Sequence, residues 1–136
     1  MVWATARGEG TTGVLGHPTS GRGGASRSPS VLVCDPVSLS RVAVREVLER
    51  NGFRVDTSAR TAEEAVALVE RDRPDVCIVD ARAPGGGLEA TRRICAAEPG
   101  VPVVVMADTL STDELFEAVR AGAVGYLPKQ MDPERL

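Results

Sequence analysis

Residues 75–87 read D-V-C-I-V-D-A-R-A-P-G-G-G, and this stretch narrows what the chain can fold into more than any other. Val76-Cys77-Ile78-Val79 is an unbroken apolar run that stops on a carboxylate, Asp80, and then breaks into a Pro/Gly loop. An apolar run without polar alternation suits a strand buried on both faces, as in a parallel sheet. Val31-Leu32-Val33-Cys34 repeats the pattern and ends on Asp35-Pro36. In open α/β sheets, ligands sit just outside the carboxyl ends of such strands. Asp35 and Asp80 therefore fall where a nucleophile or a metal ligand is useful.

The segments between these runs are helical in pattern. Ser38 to Asn51 carries Leu39, Val42, Ala43, Val47 and Leu48 at helical spacing, with Gly52 at the stop. Thr61-Ala62-Glu63-Glu64 and Ser111-Thr112-Asp113-Glu114 are capping boxes, each contributing about 1 kcal/mol at a helix start. Leu88 to Ala97 is a third amphipathic stretch. Phe53-Arg54-Val55 reads as a short edge strand, Pro102 to Met106 as the fourth strand and Val124 to Leu127 as the fifth. Alternating strands and helices call for right-handed crossovers over a parallel sheet. The expected class is α/β, a doubly wound sheet.

Composition limits the rest. The 136 residues suffice for one domain, and with four aromatic residues the core must be mostly aliphatic. Residues 1–30 hold seven glycines and no apolar periodicity, and read as a disordered tail that includes Trp3 and a solvated His17. The domain is expected over residues 31–136. Three arginines and one glutamate lie in the tail, so the net charge of −3 becomes −5 over the remainder. That acidity argues against a nucleic-acid face there. No apolar stretch approaches the ~20 residues of a membrane helix, and the N-terminus lacks a signal-peptide core. A cytoplasmic protein is expected, with Cys34, Cys77 and Cys95 as free thiols.

Lys129 follows the fifth strand, so three ionisable groups stand at or past strand ends. In a doubly wound sheet of order 2-1-3-4-5, Asp35, Asp80 and Lys129 could converge on one crevice at the switch point between the first and third strands. Two carboxylates in one crevice invite a cation, and Mg²⁺ takes oxygen ligands from one or two of them. Aspartate can also act as a nucleophile toward phosphorus.

From Val31 onward the chain resembles the receiver domain of two-component response regulators, of the NarL/LuxR type. The matching pieces are V-L-V-C-D ending at Asp35, P-D-V-C-I-V-D ending at Asp80, A-P-G followed by G-L-E-A-T-R-R-I, and A-G-A-V-G-Y-L-P-K ending at Lys129. The resemblance implies a flavodoxin-like (βα)5 fold of order 2-1-3-4-5. It implies Asp80 as phosphoacceptor from a sensor histidine kinase, and Lys129 as the cation neutralising the phosphate. Mg²⁺ would be held by Asp35, Asp80 and the Arg82 backbone carbonyl. Tyr126 falls where an aromatic ring reorients on activation. A homodimer through the fourth helix and fifth strand is implied, as is transcription control through a DNA-binding domain absent from these residues.

Several residues depart from the pattern. Pro36 replaces a second acidic residue that would contact Mg²⁺, and Ala107 replaces a Thr or Ser whose hydroxyl would hold phosphoryl oxygens. Each loss weakens an electrostatic site by ~2–4 kcal/mol. Asp108 reads as a loop carboxylate, Ala83 stands for the common Met, and the Gly85-Gly86-Gly87 loop is one residue short. The Mg²⁺ site is thus expected to be weakened. The alternative reading is a degenerate pseudo-receiver that binds partners or dimerises without phosphate. A phosphohydrolase would want D-x-D after the first strand, and Asp35-Pro36-Val37 fails that test, so no enzyme is expected. Met131 to Leu136 reads as the first turn of a truncated fifth helix, with Asp132 as N-cap and Pro133 at its first position.

Overall fold

The computed structural model describes residues 2–3, 28–109 and 111–129. Ten elements follow in order: β1 (Val2–Trp3), β2 (Val31–Cys34), α1 (Ser38–Arg50), β3 (Ser58–Ala59), α2 (Ala62–Asp72), β4 (Val76–Asp80), α3 (Gly87–Ala97), β5 (Val103–Ala107), α4 (Thr112–Ala121) and β6 (Gly125–Pro128). The six strands build one sheet of order β1-β6-β5-β4-β2-β3. The five strands from β2 to β6 are all parallel, in the expected order 2-1-3-4-5. His17 and the residues expected to open a fifth helix, Asp132 and Pro133, lie outside the described residues.

Strand alternation divides the core between two faces. Leu32, Cys34, Cys77, Val79 and Val103 pack under α2 and α3, and Val105, Ala107 and Tyr126 continue that face under α4. Val31, Val33, Ile78, Val104, Met106 and Leu127 point the other way, where among the described residues α1 contributes Val44 and Leu48. Every residue of β2 and β5 is buried, which is why their sequences carry no polar alternation. Thr61 caps α2 by accepting the Glu64 N–H, and Ser111 caps α4 by accepting the Glu114 N–H. The Glu64 carboxylate reaches back to the amide of Arg60 rather than that of Thr61.

Three expectations are corrected. The edge strand is Ser58–Ala59 and not Phe53–Val55, where only Arg54 makes an isolated bridge, to Ser30. Phe53 instead packs against the α1-side core, so its apolar character reports burial and not strand pairing. Second, α1 has two apolar stripes. Leu39 and Val42 are 77% and 60% exposed, while Val44 and Leu48 face the sheet. At 3.6 residues per turn Val42 lies ~160° around the helix from Val44. Third, the segment read as a structureless tail contains β1, which pairs antiparallel with β6 through Val2–Tyr126 and Trp3–Gly125. Near its end Ser30 accepts the Val76 and Asp75 amides, and donates its own to the Asp75 carboxylate.

Candidate functional site

Parallel pairing of β2 with β4 sets Cys34 opposite Val79, so Asp35 and Asp80 leave the sheet side by side. Each aspartate folds its carboxylate back onto the chain two residues on. Val37 N–H donates to Asp35 Oδ1 at 2.8 Å, and Arg82 N–H donates to Asp80 Oδ1 at 2.9 Å. Such side-chain turns fix a carboxylate at the point where a strand becomes a loop. Both second oxygens face Lys129, whose Nζ lies 3.0 Å from Asp35 Oδ2 and 2.8 Å from Asp80 Oδ2. The two carboxylates are 0% and 3% exposed.

Lys129 is placed by the neighbouring strand, its amide donating to the Ala107 carbonyl at 2.7 Å. Burial opposes its charge and is the largest single influence. The hydrogen bond it donates to Asp80 and the charges of both aspartates together outweigh it, so its pKa lies above the ordinary lysine value. Next to the same carboxylates, the Cys34 thiol is pushed up to about 12, by burial first and then by Asp35 and Asp80. Burial likewise raises Cys77 far above the thiol range. Neither thiol is a nucleophile at neutral pH.

Asp35 Oδ2 is fully buried and has no hydrogen bond of good geometry. The Lys129 ammonium 3.0 Å away forms an ion pair with it. An unsatisfied buried carboxylate oxygen beside a second carboxylate suits a hard cation, and Mg²⁺ keeps most of its waters when protein donors are few. Asp35 and Asp80 are the carboxylates at hand, and no cluster of three or more acidic, His or Cys side chains that could hold a metal occurs among the described residues. Pro36 supplies no ligand atom from its side chain.

The surrounding loops explain the local sequence. Asp80 accepts the Ala83 amide through its carbonyl, and the Gly86 amide closes the next turn onto Ala83. Gly85 and Gly86 hold φ of +92° and +90°, conformations that exclude ordinary side chains. Gly87 starts α3 so close to the strand end that a Cβ there would lie 2.1 Å from the Asp80 carbonyl oxygen. On the far side, Ala107 ends β5 with a buried methyl and no hydroxyl. Tyr126 is fully buried, and its hydroxyl donates to the Thr109 carbonyl at 3.2 Å. Burial raises the pKa of this phenol, with Glu114 adding to it.

Asp35, Asp80 and Lys129 thus meet as the sequence predicts. Ala107 lies beside them through its carbonyl, and Tyr126 reaches the same loop from behind. Two contributions escape the sequence reading. Gly87 carries no sign of its close approach except a glycine where a helix former would serve. The Arg82 guanidinium pairs with Asp108 across two loops, a partner that the reading of Asp108 as a loop carboxylate does not name.

A five-stranded doubly wound core with a carboxylate–lysine crevice at its switch point defines the class of protein. The chain belongs to the response regulator receiver domain family, whose model matches residues 31–136. It is 38% identical over 101 residues to the transcriptional regulatory protein YxjL of Bacillus subtilis, covering 65% of this chain and 46% of that protein. Among solved structures it resembles a LuxR-family two-component response regulator from Aurantimonas, with a TM-score of 0.75, 30% identity and 79% of each chain covered. It also resembles a Burkholderia pseudomallei response regulator described with a phosphorylated aspartic acid, calcium ion and citrate. There the TM-score is 0.71 and the identity 26%, over 78% of this chain and 62% of that one. The chain spans about half the length of the curated relatives it matches. No helix among the described residues is long and apolar enough to cross a membrane.

Proposed function

We propose that this chain is the receiver of a two-component phosphorelay, and that Asp80 accepts a phosphoryl group from the phosphohistidine of a sensor kinase. The observation that carries this reading is the Lys129 ammonium lying within 3.0 Å of both Asp35 and Asp80 in a buried crevice. An Asp80 oxygen attacks phosphorus while the P–N bond breaks. The imidazole leaves with the bonding electron pair and is protonated, and an acyl phosphate remains on Asp80. Lys129 is at hand to neutralise the incoming oxygens, because it already spans the two carboxylates. Asp35, Asp80 and the Arg82 backbone carbonyl would hold Mg²⁺, which when bound screens the charge of the phosphoryl oxygens. The phosphorylated aspartate of the Burkholderia relative is a precedent on the same fold.

The wider role follows the relatives. The partner proposed is a sensor histidine kinase in the cytoplasm, and the output is transcription control through a DNA-binding module outside residues 31–136. A homodimer would use α4, where Phe116 is exposed, rather than the outer edge of β6, which β1 already pairs.

Beryllofluoride with Mg²⁺ tests the phosphoacceptor. Wild type should form an Asp80-dependent complex that Asp80→Asn lacks, read by a change in intact mass or in the NMR spectrum. Identical behaviour of the two proteins rejects the reading. One observation favours the pseudo-receiver instead. Tyr126 is buried and bonded to the Thr109 carbonyl, and Ala107 offers no hydroxyl to couple it to Asp80. If that reading holds, partner binding and dimerisation are unchanged by Asp80→Asn.

A further inference from the structure

Arg82 makes two contacts, one into the crevice and one beside it. Its amide N–H holds Asp80 Oδ1 at 2.9 Å, and its guanidinium pairs with Asp108. The two residues stand on different loops, one leaving β4 and one leaving β5. Asp108 lies between Ala107, whose carbonyl accepts the Lys129 amide, and Thr109, whose carbonyl accepts the Tyr126 hydroxyl. The Arg82 and Asp108 side chains are 73% and 38% exposed. Ion pairs that open to water are weak and easily exchanged.

Charge in the crevice gives the exchange a direction. Asp35 and Asp80 against Lys129 leave one net negative charge. A phosphoryl group carries a charge of about −1.5 to −2 near neutral pH, in place of the single charge of the Asp80 carboxylate. Lys129 is already shared between two carboxylates, and Ala107 supplies no donor. The cation nearest in sequence is Arg82, with a planar guanidinium suited to two phosphoryl oxygens at once. Asp108, by contrast, gains nothing near the added negative charge.

We infer that Arg82 is the second phosphoryl-binding cation of this receiver, held in reserve by Asp108 and released to the phosphoryl group when Asp80 is modified. This rests on the reading of Asp80 as phosphoacceptor. Releasing Asp108 frees the loop that carries Thr109, so the exchange reaches Tyr126 without the hydroxyl that Ala107 lacks. Asp108 is then a competitor for Arg82, and its removal helps the modified state.

The test is beryllofluoride binding in the presence of Mg²⁺, by the full chain and by variants at these two exposed positions. Asp108→Asn should tighten binding by about two- to fivefold, the worth of one competing exposed ion pair. Arg82→Ala should weaken it by at least as much, and adding Asp108→Asn to Arg82→Ala should change nothing further. The ¹⁵Nε signal of Arg82 should shift on beryllofluoride addition in wild type and not in Asp80→Asn. A purely structural strap between the loops would make both single variants weaken binding, and that outcome overturns the inference, as does an effect of Asp108→Asn that persists without Arg82. Absence of any Asp80-dependent signal in wild type instead removes the phosphoacceptor reading on which the inference stands.

Discussion

Replacing Lys129 with methionine would leave Asp35 and Asp80 facing each other, both buried, with no cation between them. Removing one partner from a buried ionic group costs about 3–5 kcal/mol, mostly as the penalty of the charge left behind. Lys129 retains some solvent contact, so the lower end of that range is expected in urea denaturation. Millimolar Mg²⁺ should recover part of the loss, because a cation bound to the folded state alone stabilises it. A variant as stable as wild type, or one indifferent to Mg²⁺, would show that the three groups are not an interacting unit. In wild type the sign with pH follows from the raised Lys129 pKa. A lysine whose pKa is higher when folded contributes its stability fully below the unfolded value of ~10.4 and loses it as pH climbs through the folded value. Stability should therefore fall in alkali above pH ~10, and this fall should be absent in Lys129→Met. The triad was legible in the sequence because each member closes an apolar run. Gly87 was not, since a glycine at a helix start has several explanations. Gly87→Ala would push a methyl to 2.1 Å from the Asp80 carbonyl oxygen, and backbone must move to relieve it. A loss of about 2–4 kcal/mol in thermal or chemical unfolding is expected, at the upper end of overpacking costs. Weaker beryllofluoride binding should accompany it, since the strand end that shifts carries Asp80.

At the scale of elements, α1 shows where pattern reading succeeds and where it stops. Its extent, Ser38–Arg50, was readable from spacing and from Gly52. Its orientation was not, because Leu39 and Val42 compete with Val44 and Leu48 as the apolar stripe, and periodicity cannot choose between two stripes on one helix. In the fold Val44 and Leu48 face the sheet, and at the start of the helix Arg41 Nη1 donates to the Asp35 carbonyl at 2.7 Å. Leu48→Ala should cost about 2–4 kcal/mol in chemical denaturation, as buried leucine truncations do. Leu39→Gln and Val42→Gln should each stay within about 0.5 kcal/mol of wild type. Equal losses at Leu39 and Leu48 would mean that the outer stripe is covered in solution. The misread edge strand has a related cause. Phe53-Arg54-Val55 alternates as a strand should, yet Phe53 and Val55 are used to close the α1 side of the core. Pairing passes to Ser58–Ala59, whose two small residues carry no strand signal, in register with Val33 and Cys34.

Across the whole molecule, stability should be graded from the middle of the sheet outward. β4 and β5 are paired on both sides and buried on both faces, whereas β3 and β1 are two-residue edges. Amides of central strands exchange only through global unfolding, and edge amides through local opening. The pairing of β1 is a modest addition to this gradient. It covers the outer edge of β6 at Gly125 and Tyr126, a row of backbone groups that would otherwise be open to another chain. Two ladder positions contribute on the scale of one or two net hydrogen bonds, about 0.5–1.5 kcal/mol each before the entropy of ordering the segment is subtracted. Removing residues 1–3 should therefore change the global unfolding free energy by less than about 1 kcal/mol. Native-state hydrogen exchange should quicken along the outer edge of β6 and leave β4 and β5 untouched. The exposed edge should also raise the tendency to self-associate, readable by sedimentation at increasing concentration. A large global loss on truncation would show that β1 belongs to the core. Unchanged exchange in β6 would show that the edge is open already, and that the α4 side and the sheet edge are equally available to partners.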